Sequence, residues 1–351
     1  MRQTTRKSYT LRSSSVIKSA IAKKTRRRKP RPSSMKVEIA KKSEKMSADD
    51  KRELAIQIRE YSPEQIAQDF DRLRAIGCRA KQQSSRIHVG NRVVDWATFP
   101  QRLDTIGSKG ISFYDFWQNR ESYRRKSYVK KYIEYANGQH RQTEAKLWYN
   151  LFRFYFTSIN CFRPLVAMEY YCMFRPKCVL DMTAGWGGRL VGACALDVPR
   201  YVGIDNNESL KKPYERLMVF LKPRTKTEMD FRVQDALTVD YSKIEYDMVL
   251  TSPPYYDLEV YRGGSAPFAT PTGDIHENNK YDTQFYRPLF SKTYQHLAKG
   301  GHYCLNIPEE IYNRVCLDLL GPCTMKFPLK KSDRQSEKKK RYVEYVYIWR
   351  K

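Results

Sequence analysis

Cys178-Val179-Leu180-Asp181-Met182-Thr183-Ala184-Gly185-Trp186-Gly187-Gly188-Arg189 reads as a short buried strand running into a glycine turn. Gly185 and Gly187 lack a Cβ, so the backbone can turn sharply and approach a ligand before a helix opens at about Gly188. A second strand, from Tyr201, ends in the acid Asp205 about 20 residues on, where a carboxylate can accept hydrogen bonds from a ribose diol. Dehydrogenases that bind nicotinamide share this geometry, but their third glycine would fall at Ala184 or Gly188, in poor register.

Outward from this turn the chain alternates. Helices are expected at 164–174, 188–196, 209–221, 283–298 and 308–320. Strands are expected at 177–182, 201–205, 230–234, 246–251 and 302–307, with a final pair at 325–329 and 342–350. Such alternation implies an α/β fold: a doubly wound, mostly parallel sheet of seven strands closed by an antiparallel hairpin. Ligands bind such sheets at the strand C-termini, where a second loop stands out: Thr251-Ser252-Pro253-Pro254-Tyr255-Tyr256, after Met248-Val249-Leu250. Its two prolines fix φ and remove N–H groups, so the backbone offers acceptors. The Ser252 hydroxyl and Pro253 carbonyl suit an exocyclic amino group, with Tyr255 stacked on the ring that carries it. Asp235, after the third strand, suits either an adenine amino group or a helix N-cap, and position alone leaves both open.

Composition supplies the partner class. Lys and Arg exceed Asp and Glu by 27 charges, which points to a nucleic-acid polyanion. No apolar run is long enough to span a bilayer, and no secretory leader is evident, so no membrane association is expected. Residues 1–46 form a basic arm, with Arg26-Arg27-Arg28-Lys29 and Arg31, expected to be disordered and to touch phosphate or act as an import signal. Residues 47–157 read as a mainly helical region, with a helical pair over 48–78 and a small hairpin over 86–96 around Gly90-Asn91. Within 110–157, Phe113, Tyr114, Phe116, Trp117, Tyr123, Tyr128, Tyr132, Tyr135, Trp148 and Tyr149 alternate with Arg and Lys. They form either a helical core with a solvated basic face or a nucleic-acid groove. The eight cysteines include no C-x-x-C pair and read as buried thiols in a reducing intracellular compartment, the nucleus or a viral replication site included. The scattered histidines give no metal site.

Asp181-x-x-x-Gly185-x-Gly187 together with Thr251-Ser252-Pro253-Pro254-Tyr255 resembles motifs I and IV of the S-adenosylmethionine-dependent amino-methyltransferases that make N6-methyladenine or N4-methylcytosine. Asn160-x-Phe162-Arg163-Pro164 resembles the segment of that family that closes over the methionine end of the cofactor, and the wording is most similar to methylases of phages and large DNA viruses. The resemblance covers about 160–350 and implies a methyltransferase domain at 158–351 with S-adenosylmethionine as cofactor. It implies catalytic roles for Ser252, Pro253, Pro254 and Tyr255, and cofactor contacts from Phe162, Arg163, Pro164, Asp181, Thr183, Gly185, Gly187, Asp205 and Asp235. Serine at 252, where adenine enzymes more often carry Asp or Asn, is similar to the N4-cytosine enzymes.

No recognition domain is expected beyond the last hairpin. Substrate contacts therefore fall to the helical region, to Tyr256, Glu259, Tyr261 and Arg262, and to the basic hairpin at Lys330, Lys331, Lys338, Lys339, Lys340 and Arg341. The expected partner is nucleic acid, DNA before RNA. Two other readings stay open: a non-catalytic nucleic-acid-binding or assembly protein on a methyltransferase fold, and methylation of RNA or of a protein glutamine.

Overall fold

The computed structural model describes residues 46–82, 87–107, 109–138, 142–156, 159–256, 259–260, 279–329 and 344–351. Seven strands form one sheet: β1 (Cys178–Asp181), β2 (Arg200–Asp205), β3 (Glu228–Val233), β4 (Met248–Thr251), β5 (His302–Ile307), β6 (Met325–Pro328) and β7 (Tyr345–Arg350). Their spatial order is β3-β2-β1-β4-β5-β7-β6, with β7 antiparallel to both neighbours and every other pair parallel. This is the doubly wound, Rossmann-like sheet, antiparallel final pair included, that the alternation of elements implies. The order reverses between β1 and β4, which pair in register as Val179 with Met248 and Leu180 with Val249. Both motif loops leave from that switch point, where a crevice opens beyond the strand ends.

Side chains alternate along the strands and so feed two cores. Val179, Met248, Leu250, Cys304, Val346 and Ile348 pack on one face, against α8 (Pro164–Phe174), α9 (Gly188–Ala195) and α10 (Lys211–Leu221). Leu180, Val202, Val249, Tyr303, Leu305 and Tyr347 pack on the other, against the chain over 236–246 and the helical segments over 282–295 and 309–320.

The first of these cores extends N-terminally into α2 (Pro63–Ile76) and α3 (Asn91–Asp104), so packing is continuous across residue 158. Helix α3 replaces the hairpin expected at 86–96. Gly90 stands in the left-handed region as its N-cap, with Asp69 of α2 accepting from the Arg92 N–H at 2.9 Å. A turn read from Gly-Asn and two β-branched valines is overridden because Val93 and Val94 are both fully buried in helical geometry.

A separate core gathers α1 (Ala48–Ile58), α4 (Phe113–Gln118), α5 (Arg120–Arg124), α6 (Ser127–Asn137) and α7 (Glu144–Tyr155). Phe113, Tyr114, Phe116, Tyr123, Trp148 and Tyr149 are buried there, while Arg124, Arg125, Lys126, Lys130 and Lys131 are exposed. Of the two readings left open for this stretch, these rings take the core. Tyr135 alone among the ten aromatics stands exposed.

The cysteine reading needs one correction, because Cys78 and Cys172 form a disulfide with their Cα atoms 5.4 Å apart. They lie 94 residues apart in sequence, and only the packing of the short 3-10 turn Gly77–Gln82 against α8 brings them together, so local spacing carries no signal of it. Cys161, Cys178, Cys194, Cys304, Cys316 and Cys323 are free thiols. No helix among the described residues is long and apolar enough to cross a membrane. The basic arm, apart from Met46, lies outside the described residues.

Candidate active site

The glycine turn owes its shape to what crowds it. Gly185 and Gly187 have φ of 57° and 85°, and a Cβ at Gly187 would meet Leu217 of α10 at 2.9 Å. At Gly188 a Cβ would lie 1.8 Å from the Phe162 carbonyl oxygen, and at Gly192 it would lie 2.8 Å from that of Pro164. The segment 162–164 therefore lies directly on the N-terminal turn of α9. The space beside Gly185 is open, with Thr183 O at 3.8 Å as the nearest neighbour of a Cβ there.

Asp181 does not face that space. It is fully buried, and its carboxylate accepts from Arg189 Nε at 2.6 Å, Tyr201 Oη at 2.5 Å and Thr251 Oγ1 at 2.9 Å. Its place as a cofactor contact gives way to one inside the loop: β1 ends in a charge that only a buried partner can offset, and Arg189 supplies it. Arg189 also donates to Thr183 O at 2.5 Å and lies 5.2 Å from the Phe162 ring centroid. Asp205 is the carboxylate at the loop's edge. It accepts from the N–H of Gly185 at 2.7 Å and of Asn207 at 3.0 Å. Burial pushes its carboxyl above the ordinary value, against the pull of those two N–H groups. Two backbone donors leave lone pairs on a carboxylate with four acceptor positions, so the residues fit a ribose diol beside Gly185.

The second loop is physically tied to the first. Thr251, fully buried at the end of β4, bonds both Asp181 and, at 2.6 Å, the Thr183 hydroxyl. Beyond it, Tyr255 Oη donates to the backbone carbonyl of Asn306 at 2.8 Å. That carbonyl can only accept, so in the 2.8 Å contact between Ser252 Oγ and Tyr255 Oη the serine supplies the proton. The Asn306 side chain is oriented by its own donation to Tyr345 O at 3.2 Å, and its Oδ1 is a second, longer acceptor for the Ser252 hydroxyl at 3.4 Å. Ser252 is thereby held with its proton turned inward and its lone pairs outward.

Two single π-helical turns clamp the loop from outside, Asp282–Tyr286 and Tyr312–Cys316. Tyr286 Oη donates to the Pro254 carbonyl, and Asp282 Oδ1 accepts from Tyr256 Oη at 2.7 Å. Arg314 in the second turn closes the set, 2.7 Å from Asp282 Oδ2. Tyr256 sits at φ 41°, a conformation a side chain rarely adopts, and these bonds hold it there. Sequence reading missed Asn306, Tyr286, Asp282, Arg314 and Arg189. Arg189 alone carried a signal, as the residue following the glycine turn.

The other expected residues scatter. Half-buried Phe162 and Arg163 and buried Pro164 border the glycine loop, and Thr183 links the two motifs. Pro253 is buried. Asp235 is exposed and accepts from the Leu237 N–H at 2.9 Å; it caps a turn, since no helix follows it where a helix N-cap was one of the two readings. Glu259 is described only in its backbone, which pairs with Gly107 in a two-residue antiparallel ladder. Tyr261, Arg262, Lys330, Lys331, Lys338, Lys339, Lys340 and Arg341 lie outside the described residues. Among the described residues no group of three His, Cys, Asp or Glu could hold a metal.

No protein-family model and no curated protein matches the chain. Among solved structures it is similar to TrmN from Thermus thermophilus, at 16% identity over 53% of this chain and 48% of that one, with a TM-score of 0.37. It is similar also to a methyltransferase homolog protein from Pyrococcus horikoshii, at 14% identity over 53% and 66% of the two chains and a TM-score of 0.37. An rRNA methylase from Streptococcus thermophilus aligns at 14% identity over 49% and 84%, with a TM-score of 0.30. The chain thus spans about half the length of the first of these and 66% of the second.

Proposed function

We propose that this chain transfers a methyl group from S-adenosylmethionine to an exocyclic amino group of a nucleobase in DNA, N4 of cytosine or N6 of adenine, with RNA the next substrate to test. One observation carries the reading: Ser252 presents lone pairs, on a loop whose next two residues have no N–H, beside a glycine loop with a carboxylate at its edge. An acceptor-only surface fits an NH2 group and repels a ring nitrogen or carbonyl, which need donors.

Ser252 Oγ and the Pro253 carbonyl accept the two N–H bonds and favour a pyramidal nitrogen with its lone pair directed away from the loop. Tyr255, tethered at its hydroxyl to Asn306, supplies a ring against which a flipped or single-stranded base stacks. Gly185, Asp205 and the segment 162–164 would hold the cofactor, which when bound supplies an electrophilic sulfonium methyl. Among the described residues of the loop, 251–256, no carboxylate stands ready to take the proton, so the work of the residues is alignment, and the proton leaves through solvent.

The test is mass spectrometry of nucleosides from DNA and RNA incubated with the protein and isotope-labelled methyl donor. Methylated cytosine or adenine is expected, and Ser252→Ala should lower its rate about 10- to 100-fold, the loss of one positioned hydrogen bond. Label in no nucleobase, or an unchanged rate in Ser252→Ala, overturns the reading.

A further inference from the structure

A second cationic feature lies behind the segment that covers the glycine loop, where α1, α3 and α7 converge. Asp95 of α3 is buried and accepts from two guanidiniums at once, Arg59 at the end of α1 and Arg102 two turns further along the same face of α3. One carboxylate offsets one of them. The surplus is reinforced by Arg153 of α7: its guanidinium carbon lies 5.7 Å from the centroid of the Tyr149 ring, and that of Arg59 lies 5.4 Å from the same ring. Arg59 also donates to Tyr149 Oη at 3.4 Å.

Ile159, Arg102 and Tyr149 line one small cavity of about 20 Å³, which puts the 159–163 segment beside this cluster. Arg163, at the end of that segment, donates to Ile87 O at 3.4 Å and so adjoins His88, with the Glu169 carboxylate acting on it from α8. Burial first, and then the fields of Arg163 and Arg153, hold the His88 imidazole below its ordinary value. The second guanidinium on Asp95 is a partly desolvated surplus charge, costly unless an anion completes it.

We propose that Arg59, Arg153 and Arg163 form a phosphate subsite that holds the backbone of the nucleic-acid strand bearing the target base. The set grades from exposed Arg153 to half-buried Arg59 and Arg163, and Arg163 adjoins the residue whose carbonyl rests on Gly188. A strand held along these residues would run from the surface toward the glycine loop. Guanidiniums are the side chains suited to phosphate oxygens, and the contact is to backbone, so it carries position and no sequence.

The subsite rests on the nucleic-acid reading above, but its test does not require methyl transfer. Fluorescence anisotropy of labelled single-stranded and duplex DNA and RNA is measured across a salt series for the full chain. Arg153→Gln and Arg163→Gln are compared with Lys226→Gln, an exposed lysine before β3 at the opposite end of the sheet. Each arginine variant should bind about 3- to 10-fold more weakly, with a salt slope smaller by about 1, while Lys226→Gln matches the parent.

Calorimetry with S-adenosylmethionine should give the same affinity for Arg153→Gln as for the parent. If Arg153→Gln binds oligonucleotide as the parent does, the subsite is wrong and the methyl-transfer reading stands. Cofactor affinity lost with oligonucleotide binding intact would assign the cluster to the donor's carboxylate instead. A parent chain that binds no oligonucleotide removes both ideas.

Discussion

On the function proposed above, the direction of one hydroxyl decides what the site accepts. Tyr255 takes the Ser252 proton only because its own is committed to the Asn306 carbonyl. Tyr255→Phe keeps the ring and the fold but removes the nearer acceptor at 2.8 Å, leaving the Ser252 proton only the longer contact to Asn306 Oδ1 at 3.4 Å and so a looser orientation. Turnover should fall about 10- to 100-fold while cofactor affinity by calorimetry stays within about 2-fold, because the glycine loop is untouched. Ser252 and Tyr255 were legible in the sequence because they are neighbours on a proline-stiffened loop. Asn306 was not, since only the pairing of Thr251 with Leu305 across β4 and β5 places it there. Asp181 was legible as a motif residue and misleading as a contact, because nothing local to it reveals that Tyr201 and Thr251 close around it.

Among elements, the seat of α8 on α9 depends on two glycines one turn apart. Gly188→Ala sets a methyl group 1.8 Å from the backbone carbonyl of Phe162, which has no rotamer with which to yield. A loss of about 1 to 3 kcal/mol in denaturant unfolding is expected, together with weaker cofactor binding, because segment 162–164 must lift. Helix α2 is fastened differently, by Arg74 paired with Asp197 at 2.8 Å and donating to Arg224 O at 2.9 Å. The Arg74 guanidinium is the main cause that draws the Asp197 carboxyl down to about 2 from an ordinary 3.8.

A lowered carboxyl stabilises the fold above its unfolded value and loses that contribution as pH falls through its folded one. The pair therefore contributes above pH ~4 and fades toward pH ~2, by about 1 kcal/mol once its partial exposure is allowed for. Acid unfolding of Arg74→Ala should lack that component while losing stability at neutral pH. The sheet elements were legible from alternation and burial. Helix α3 was not, because its N-cap Gly90 offers no side chain and its first turn is satisfied by Asp69, a side chain from another helix. The π-turns leave no mark in hydrophobic period at all.

Over the whole molecule, the surplus of positive charge and the alternating strands indicated nucleic acid and a doubly wound sheet, whereas the N-terminal aromatics split between two readings until packing placed most of them in a core. The disulfide is the feature of largest reach. It closes a loop of 94 residues that includes α3 through α7, and in the chain-entropy account a loop of that length stabilises by about 4 to 5 kcal/mol. Thermal unfolding in reductant should therefore fall by several degrees or more relative to the oxidised protein, and Cys172→Ser should reproduce the shift without reductant.

Cys78 and Cys172 also bracket the stretch that carries Arg153, Arg163 and the residues lying on the glycine turn. In the oxidised protein a protease that cuts once anywhere between them severs the main chain but liberates nothing. Both pieces migrate as one covalent species until a thiol is added, and the nicked protein keeps the two ends of that stretch at fixed stations on α8 and the Gly77–Gln82 turn.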